Sequence, residues 1–217
     1  MCDWVVVDVD DTVVNTQRRI RAVWQYALGK ELDLDAVESL SSRQILERFG
    51  GSNENAWIYF WSVLRCSNKA GIEFLRFDEP IPFAAEVLKS WSKQYLLIYL
   101  TARPENMRDL TLREFERFGF PTRNARLVMF GEKDWEGSMP LESVVEVRTR
   151  IFSNVANDCD VVSVVDDTPR FFSVYRKFAI PDRVGFLRAK RYAAKDYLDY
   201  GATRVVENWR QLAGRHA

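Results

Sequence analysis

Residues 4–12 have the sequence WVVVDVDDT, an apolar, β-branched run that ends in a cluster of aspartates. An apolar run of this length with polar residues at its end is typical of a strand buried on both faces of a parallel sheet. Side chains two positions apart in an extended chain point the same way, so we expect Asp8 and Asp10 to face one reacting centre. One such carboxylate can attack phosphorus and form an aspartyl phosphate, while the other handles the proton of the leaving oxygen.

The strand pattern recurs beyond residue 80, where short apolar runs alternate with helical patterns. We predict further strands at 95–100, 127–130, 161–165, 184–187 and 204–206. A helix is expected to begin at Pro104 and to end at Gly119, because proline suits the first helical turn and glycine the C-terminal cap. Short strands that alternate with helices predict an α/β fold, a doubly wound parallel sheet with helices on both faces.

Three of the predicted strands end in polar residues. Asp8 and Asp10 follow the first strand, Thr101 the second, and Asp166 and Asp167 the fourth. In a parallel sheet these ends lie along one edge, which is where ligands bind. Clustered carboxylates repel one another, and a hard divalent cation with oxygen ligands would neutralise them. Thr101 is expected to donate a hydrogen bond to a phosphoryl oxygen.

These residues resemble the haloacid dehalogenase superfamily. The run 5–12 resembles its first motif, an apolar strand followed by Asp-x-Asp-x-Thr. Thr101 resembles the second motif, and the pair Asp166 and Asp167 resembles the fourth. The motifs occur in the family's order, each at a strand end, and the resemblance covers nearly the whole chain. The three together are therefore far more specific than the first motif alone.

The resemblance implies a magnesium-dependent phosphatase that acts through an aspartyl phosphate. Asp8 would be the nucleophile, and Asp10 the general acid/base that protonates the leaving group and then activates water. The family's Mg²⁺ would lie on the Asp8 carboxylate, the Asp10 backbone carbonyl, Asp167 and Asp166. An acid at position 10 is the phosphotransfer form of the motif, which disfavours halide chemistry.

The third motif of the family is usually a lysine and sometimes an arginine that holds the phosphate. Arg148 is the best match, because it stands on the predicted helix that leads into the fourth strand. An arginine is always charged and binds phosphate in a bidentate manner, so it could still balance the negative charge of the phosphate. Arg150 and Lys133 are alternatives.

The segment 16–80 has mostly helical patterns, including a capping box at Ser41 and Gln44. The family often inserts a helical cap between its first two motifs. We therefore predict a core domain formed by residues 1–15 and 81–217 and a cap domain formed by 16–80. Closure of such a cap would expel water from the site.

Several residues near these motifs are expected to have ordinary structural roles. The aromatic residues at 57 and 59–61 have helical spacing, which favours the core of the cap over contact with substrate. Asp11 is expected to cap or shape the turn. Arg18, Arg19 and Arg21 are expected to form a solvated basic face, and Arg103 is given no catalytic part.

Composition excludes several other classes. The chain has 217 residues, 47% of them hydrophobic, and its 31 basic and 31 acidic side chains balance, so a general nucleic-acid binder is not expected. There is one histidine, His216, which leaves little material for histidine-based catalysis or zinc sites. Three cysteines without metal-ligand spacing, no apparent signal peptide and no apolar run of about 18–20 residues predict a cytoplasmic protein.

Four functions remain open at this stage. The first is a phosphomonoester hydrolase with a small soluble phosphorylated substrate, and the second is a phosphotransferase with the same residues. The third is a non-catalytic binding protein that keeps the fold, which the presence of both Asp8 and Asp10 disfavours. The fourth is a polynucleotide end phosphatase, which the zero net charge disfavours.

Overall fold

The computed structural model describes residues 3–51, 53–65, 69–130 and 141–214. Lys133, His216, Cys2 and Cys66 therefore lie outside the described residues. Eight strands occur in this part of the chain: β1 (Trp4–Asp8), β2 (Val14–Asn15), β3 (Glu79–Pro80), β4 (Leu96–Pro104), β5 (Ala125–Phe130), β6 (Val161–Asp166), β7 (Asp182–Phe186) and β8 (Arg204–Val206).

Six strands form one sheet in the order β5-β4-β1-β6-β7-β8, and each neighbouring pair is parallel. The predicted parallel sheet is therefore confirmed. β1 lies at its centre, with Val7 paired to Tyr99 on one side and to Val165 on the other. This register brings the C-terminal ends of β1, β4 and β6 together.

Ten α-helices occur in the described ranges: α1 (Gln17–Leu28), α2 (Leu34–Ser39), α3 (Ser42–Ile45), α4 (Glu54–Leu64), α5 (Lys69–Phe74), α6 (Ala84–Trp91), α7 (Arg108–Phe118), α8 (Leu141–Asp158), α9 (Phe172–Lys177) and α10 (Ala194–Tyr200). Short 3₁₀ turns precede α7 and α9, and another lies at Trp209–Leu212. No helix of these ranges is both long and apolar enough to cross a lipid bilayer.

The sheet is buried on both faces because alternate residues of β1 enter different cores. Val5 and Val7 pack with α6, Phe115 of α7 and Trp209 on one face. Val6 packs on the other face with residues of α8, α9 and α10. This two-sided burial explains why β1 is a continuous apolar run rather than an alternating one.

The helices between residues 17 and 74 have a hydrophobic core of their own. Trp24 stacks on Phe60 with 4.0 Å between ring centroids, and Val23, Leu46 and Trp57 complete the centre of this cluster. The predicted aromatic core is therefore present. The expected capping box opens α3, which continues into a π-helical turn at Leu46–Gly50.

A two-stranded antiparallel ribbon joins this helical segment to the sheet. β2 leaves the core and β3 returns to it, with Val14 opposite Pro80 and Asn15 opposite Glu79. The two points at which the chain passes between the sheet and the helical segment are thus hydrogen-bonded side by side. The division into core and cap domains stays a prediction.

The predicted helix start at Pro104 is wrong. β4 continues through Pro104, which pairs with Phe130 after an irregularity in the register, and the helix α7 begins only at Arg108 after a 3₁₀ turn. Proline lacks the amide hydrogen that a central strand needs, and the register shift accommodates it at the end of the strand. As a result, Pro104 is extended rather than helical, as are residues 101–103 before it.

Candidate active site

Three buried aspartates meet at the carboxyl edge of the sheet. β1 places Asp8 there, and β6 places Asp166 and Asp167. One carboxylate oxygen from each lies within 4.8 Å of the others. The predicted cluster of carboxylates from β1 and β6 is therefore present, and its members come from strands that are far apart in sequence.

Arg148 reaches this cluster from α8 and is almost completely buried. Its Nη2 lies 2.9 Å from Oδ1 of Asp8 and also contacts Asp166. Its Nε donates to the Tyr175 hydroxyl at 2.9 Å, and that hydroxyl donates to Asp166 at 2.5 Å. The Arg148 guanidinium is thus fixed between Asp8 and Asp166.

The structure separates the candidates for the third motif by position. Arg148 stands in the carboxylate cluster, whereas Arg150 is exposed on the surface of the same helix. Lys133 lies outside the described residues. The contacts with Asp8 and Asp166 favour Arg148 over Arg150, and the assignment of the third motif stays a prediction.

Asp10 lies next to the cluster and is held by three side chains. Thr101 Oγ1 donates to its Oδ2 at 3.0 Å. Arg103 Nη2 and Nε lie 2.8 and 2.9 Å from its Oδ1, and Arg19 Nη2 lies 3.2 Å from the same oxygen. The Asp10 side chain is 30% exposed, so one side of this carboxylate faces the open site.

The prediction that Arg19 belongs to a solvated face is wrong. Its side chain is only 4% exposed, since it turns inward from α1 to pair with Asp10 and Asp78. Arg18, its neighbour, is exposed as predicted. Burial of a guanidinium is costly unless an anion lies beside it, and here Asp10, whose pKa is lowered, supplies that charge, while Asp78 adds a second polar contact.

Arg103 is the second arginine that sequence reasoning left without a role. Besides Asp10 it contacts Glu114 at 2.6 Å and Asp78 at 3.2 Å. A signal for it existed, because Thr101 and Arg103 are two positions apart in an extended chain and so face the same side. For Asp78 we see no sequence signal.

Asp11 shapes the turn that leads from β1 to α1, as expected. Its backbone has a positive φ of 60°. Its Oδ1 accepts hydrogen bonds from the backbone N–H of Thr16 at 3.0 Å and from the Thr16 hydroxyl at 3.1 Å. These bonds fix the start of α1, and therefore the point from which Arg19 extends.

The loop that carries Asp167 is supported by Tyr197 of α10. The Tyr197 hydroxyl donates to the Asp167 backbone carbonyl at 2.6 Å. Gly185 makes this approach possible, because a Cβ at that position would lie 2.5 Å from the Tyr197 ring. A larger residue at 185 would displace the tyrosine and, with it, the end of β6.

Burial and mutual repulsion set the charge state of the carboxylates. Burial raises the pKa of Asp8, and the neighbouring Asp166 raises it further, while Arg148 opposes both. Burial and the nearby Asp11 and Asp166 likewise raise the pKa of Asp167. Burial also acts on Asp10, but Arg103 and Arg19 outweigh it and lower its pKa.

The residues present fit a divalent cation. All three clustered groups are carboxylates, the ligands that Mg²⁺ and Ca²⁺ prefer, and Arg148 supplies only one positive charge against them. Burial, together with repulsion from neighbouring aspartates, raises the pKa of both Asp8 and Asp167. A cation on these oxygens would hold both groups in the ionised form.

Asp78 gives the stability of the protein a testable pH dependence. Burial raises its pKa from 3.8 to about 8, although Arg19 and Arg103 oppose the shift. The folded state then binds a proton that the unfolded state releases, so the stability from this group is complete below pH 4 and is lost as pH rises through 8. Relative to Asp78→Asn, we expect the wild-type free energy of unfolding to fall by up to about 1.4 kcal/mol per pH unit in that window.

Urea denaturation of wild type and Asp78→Asn at pH 5, 6, 7 and 8 measures this difference. The free energy of unfolding of each protein is plotted against pH, and one curve is subtracted from the other. Groups that the substitution leaves unchanged contribute equally to both curves and cancel. Parallel curves for the two proteins would contradict the expectation.

Among curated proteins, a predicted nucleotidase of Bacillus cereus is 29% identical to the chain over 132 residues. The match covers 59% of this chain and 65% of that protein, so it spans less than two thirds of the relative. No model of a protein family matches the sequence.

Solved structures match along the whole chain. A predicted phosphatase of Clostridium difficile superposes with a TM-score of 0.71 at 17% identity, over 100% of this chain and 99% of that one. A haloacid dehalogenase-superfamily hydrolase of Geobacter sulfurreducens gives a TM-score of 0.59 at 16% identity, over 100% and 97%. The recognition based on the three motifs is confirmed at the level of the fold.

Proposed function

We propose that this chain, which has the fold of the haloacid dehalogenase superfamily, is a phosphatase that hydrolyses phosphomonoesters through an aspartyl phosphate on Asp8. One observation carries the proposal. The ends of three parallel strands bring Asp8, Asp10, Thr101 and the pair at 166–167 to one edge, and Arg148 from α8 contacts the Asp8 carboxylate. The phosphatases and hydrolases among the structural neighbours support the same reaction class.

The first step is attack by a carboxylate oxygen of Asp8 on phosphorus. Thr12 Oγ1 and Arg148 Nη2 hold the two oxygens of Asp8, at 3.2 and 2.9 Å. A bond forms between Asp8 and phosphorus, and the bond from phosphorus to the leaving oxygen breaks. Asp10, the adjacent carboxyl group, delivers a proton to that oxygen so that it leaves as an alcohol.

The second step returns Asp8 to its free form. Asp10, now ionised, takes a proton from a water molecule, and the water oxygen attacks phosphorus. The bond between Asp8 and phosphorus breaks, and inorganic phosphate leaves. Arg103 and Arg19 lower the pKa of Asp10, which favours the ionised form that this second step requires, whereas the first step requires the protonated form.

Two groups would hold the phosphoryl oxygens, Thr101 and Arg148. Thr101 has its hydroxyl at the edge of the site, where it now donates to Asp10. Arg148 has a buried Nη1 for which the described part of the chain supplies no hydrogen-bond acceptor. Because an unpaired buried donor is costly, a phosphoryl oxygen at this place would be stabilised.

A bound Mg²⁺ would offset the negative charge of substrate and nucleophile and so let two anions approach. Asp8, Asp166 and Asp167 would hold it, together with the Asp10 backbone carbonyl. We therefore expect activity to disappear in EDTA and to return with excess Mg²⁺. The control is the circular dichroism spectrum in EDTA, which should stay native. Full turnover in EDTA would contradict the metal assignment.

Residues 16–80 would act as a cap over this site. The helices have a core separate from those of the sheet, and the ribbon of β2 and β3 lies where the chain passes between the two parts. Such a segment can exclude water and select the substrate. A cytoplasmic location and a small phosphorylated substrate complete the proposal.

The test is hydrolysis of a panel of phosphate esters with Mg²⁺. An aryl phosphate serves as the general probe, and nucleoside monophosphates come next because the Bacillus cereus relative is described as a nucleotidase. Release of inorganic phosphate from at least one ester, dependent on Asp8, supports the proposal. An added acceptor alcohol would distinguish hydrolysis from phosphotransfer by the product formed.

A further inference from the structure

A buried charge network surrounds Asp10, and the mechanism above uses only Asp10 itself. The network also contains Arg19, Arg103, Asp78 and Glu114, all of them buried. Buried charges add little net stability to a fold, because their desolvation costs free energy and hydrophobic residues of similar size often stabilise it equally well. The network therefore calls for a functional explanation.

Arg103 limits the orientation of the Asp10 carboxylate. Its Nε lies 2.9 Å from Oδ1 and 3.2 Å from Oδ2, and its Nη2 lies 2.8 Å from Oδ1. Thr101 adds a bond to Oδ2 at 3.0 Å. The guanidinium itself is fixed on its far side by Glu114 at 2.6 Å and Thr111 at 3.3 Å. The carboxylate plane is thus set by donors that are themselves held.

Arg19 brings the helical segment into the same contact. It extends from the first turn of α1, and its Nη2 lies 3.2 Å from Asp10 Oδ1. Its Nε lies 3.2 Å from Asp78, which directly precedes β3, where the chain returns to the sheet. Asp78 in turn contacts Arg103 at 3.2 Å. Asp10 is therefore held by Arg103 from β4 of the sheet and by Arg19 from α1 of the helical segment.

We propose that Arg19 and Arg103 are positioning residues that align the Asp10 carboxyl group with the leaving oxygen, so that proton transfer requires α1 to be docked on the sheet. The inference rests on the proposed phosphatase activity. Neither arginine needs to touch the substrate. Proton transfer depends strongly on geometry, and a side chain free to rotate about its χ angles spends little time in the productive orientation.

The leaving group distinguishes a positioning role from a structural one. A 4-nitrophenolate leaves without a proton, so its release in the first turnover needs Asp8 but not Asp10 as an acid. An alkoxide leaves only when Asp10 protonates it. In Arg19→Gln we expect first-turnover release from 4-nitrophenyl phosphate close to wild type. Release from an alkyl phosphate should be slower by about 10²-fold.

Rapid-quench measurements on the magnesium-loaded protein provide both rates, and Asp10→Asn supplies the reference pattern for a missing acid. The control is Arg18→Gln, which removes an exposed arginine one position away that pairs with Glu79 on the surface. This variant should match wild type on both substrates. Arg103→Lys keeps a positive charge beside Glu114 but lacks the fork that holds Asp10, and the same selective loss is expected. It is the second test if Arg19→Gln does not fold.

Equal losses on both substrates, or no loss on either, would overturn the inference. The proposed phosphatase activity is tested separately, by first-turnover release in wild type with Asp8→Asn as the blank. Suppose that wild type releases nitrophenol and Asp8→Asn does not, but that the arginine variants lose the same activity on both substrates or none on either. This result would refute the positioning role, and the phosphatase assignment would stand.

Discussion

Asp8→Asn is expected to lower hydrolysis of any substrate by at least about 10³-fold, because an amide cannot form the acyl phosphate on which the reaction depends. The substitution keeps the size of the side chain. Asp8 is buried beside Asp166 and has a raised pKa, so the loss of its charge relieves repulsion within the cluster. The variant should therefore fold at least as stably as wild type, and its inactivity cannot come from unfolding.

The matched control for this prediction is Asp3→Asn. Asp3 is an exposed aspartate just before β1, whose backbone carbonyl accepts a hydrogen bond from Leu96. The substitution leaves that backbone bond intact, so wild-type activity and melting temperature are expected. Comparable activity in Asp8→Asn and wild type would mean that Asp8 is not the nucleophile.

Arg148→Met is expected to impair both stability and activity. It removes the cation that contacts Asp8 and Asp166, and it leaves the Tyr175 hydroxyl without its donor. Breaking a buried ion pair from one side typically costs about 3–5 kcal/mol. Urea denaturation at pH 7 measures this loss. Because the phosphate also loses a charged donor, turnover should fall by at least about 10²-fold in the protein that remains folded.

Arg150→Met is the matched control on the same helix. Its side chain is exposed, so both stability and activity should stay near wild type. Similar losses in the two variants would show that α8 is sensitive as a whole, and a stable, active Arg148→Met protein would refute the role of Arg148.

The fold was predictable because β1 carries an unusual pattern. The residues of β1 before Asp8 are all apolar, so both faces of the strand must be covered. In a chain whose short strands alternate with helices, a parallel sheet with helices on both faces provides that cover. Once the sheet is parallel, the ends of β1, β4 and β6 lie along one edge, and the strand order β4-β1-β6 brings them together. The cluster of Asp8, Asp166 and Asp167 therefore follows from topology, although the three are not neighbours in the sequence.

The residues that were missed depend on tertiary partners. Arg19 has the local sequence of a surface position on a helix, and it is buried because Asp10 and Asp78, from other parts of the chain, contact it. Arg103 stands in the loop expected between the strand and the helix at Pro104, and its role depends on Asp10, Asp78 and Glu114 from other elements. Neither fact is encoded within a window of a few residues, so periodicity and capping rules do not reveal it.

The central claim is a covalent phosphoryl group on Asp8, and trapping it is the most direct test. Wild-type protein would be mixed with Mg²⁺ and an ester that it hydrolyses. The reaction would be quenched in acid within the first turnovers, and the protein would be digested and analysed by mass spectrometry. The account predicts one added phosphoryl group on the peptide that contains Asp8, absent from Asp8→Asn and from samples in EDTA. Steady turnover with that peptide unmodified at every quench time, or with the phosphoryl group on another residue, would contradict it.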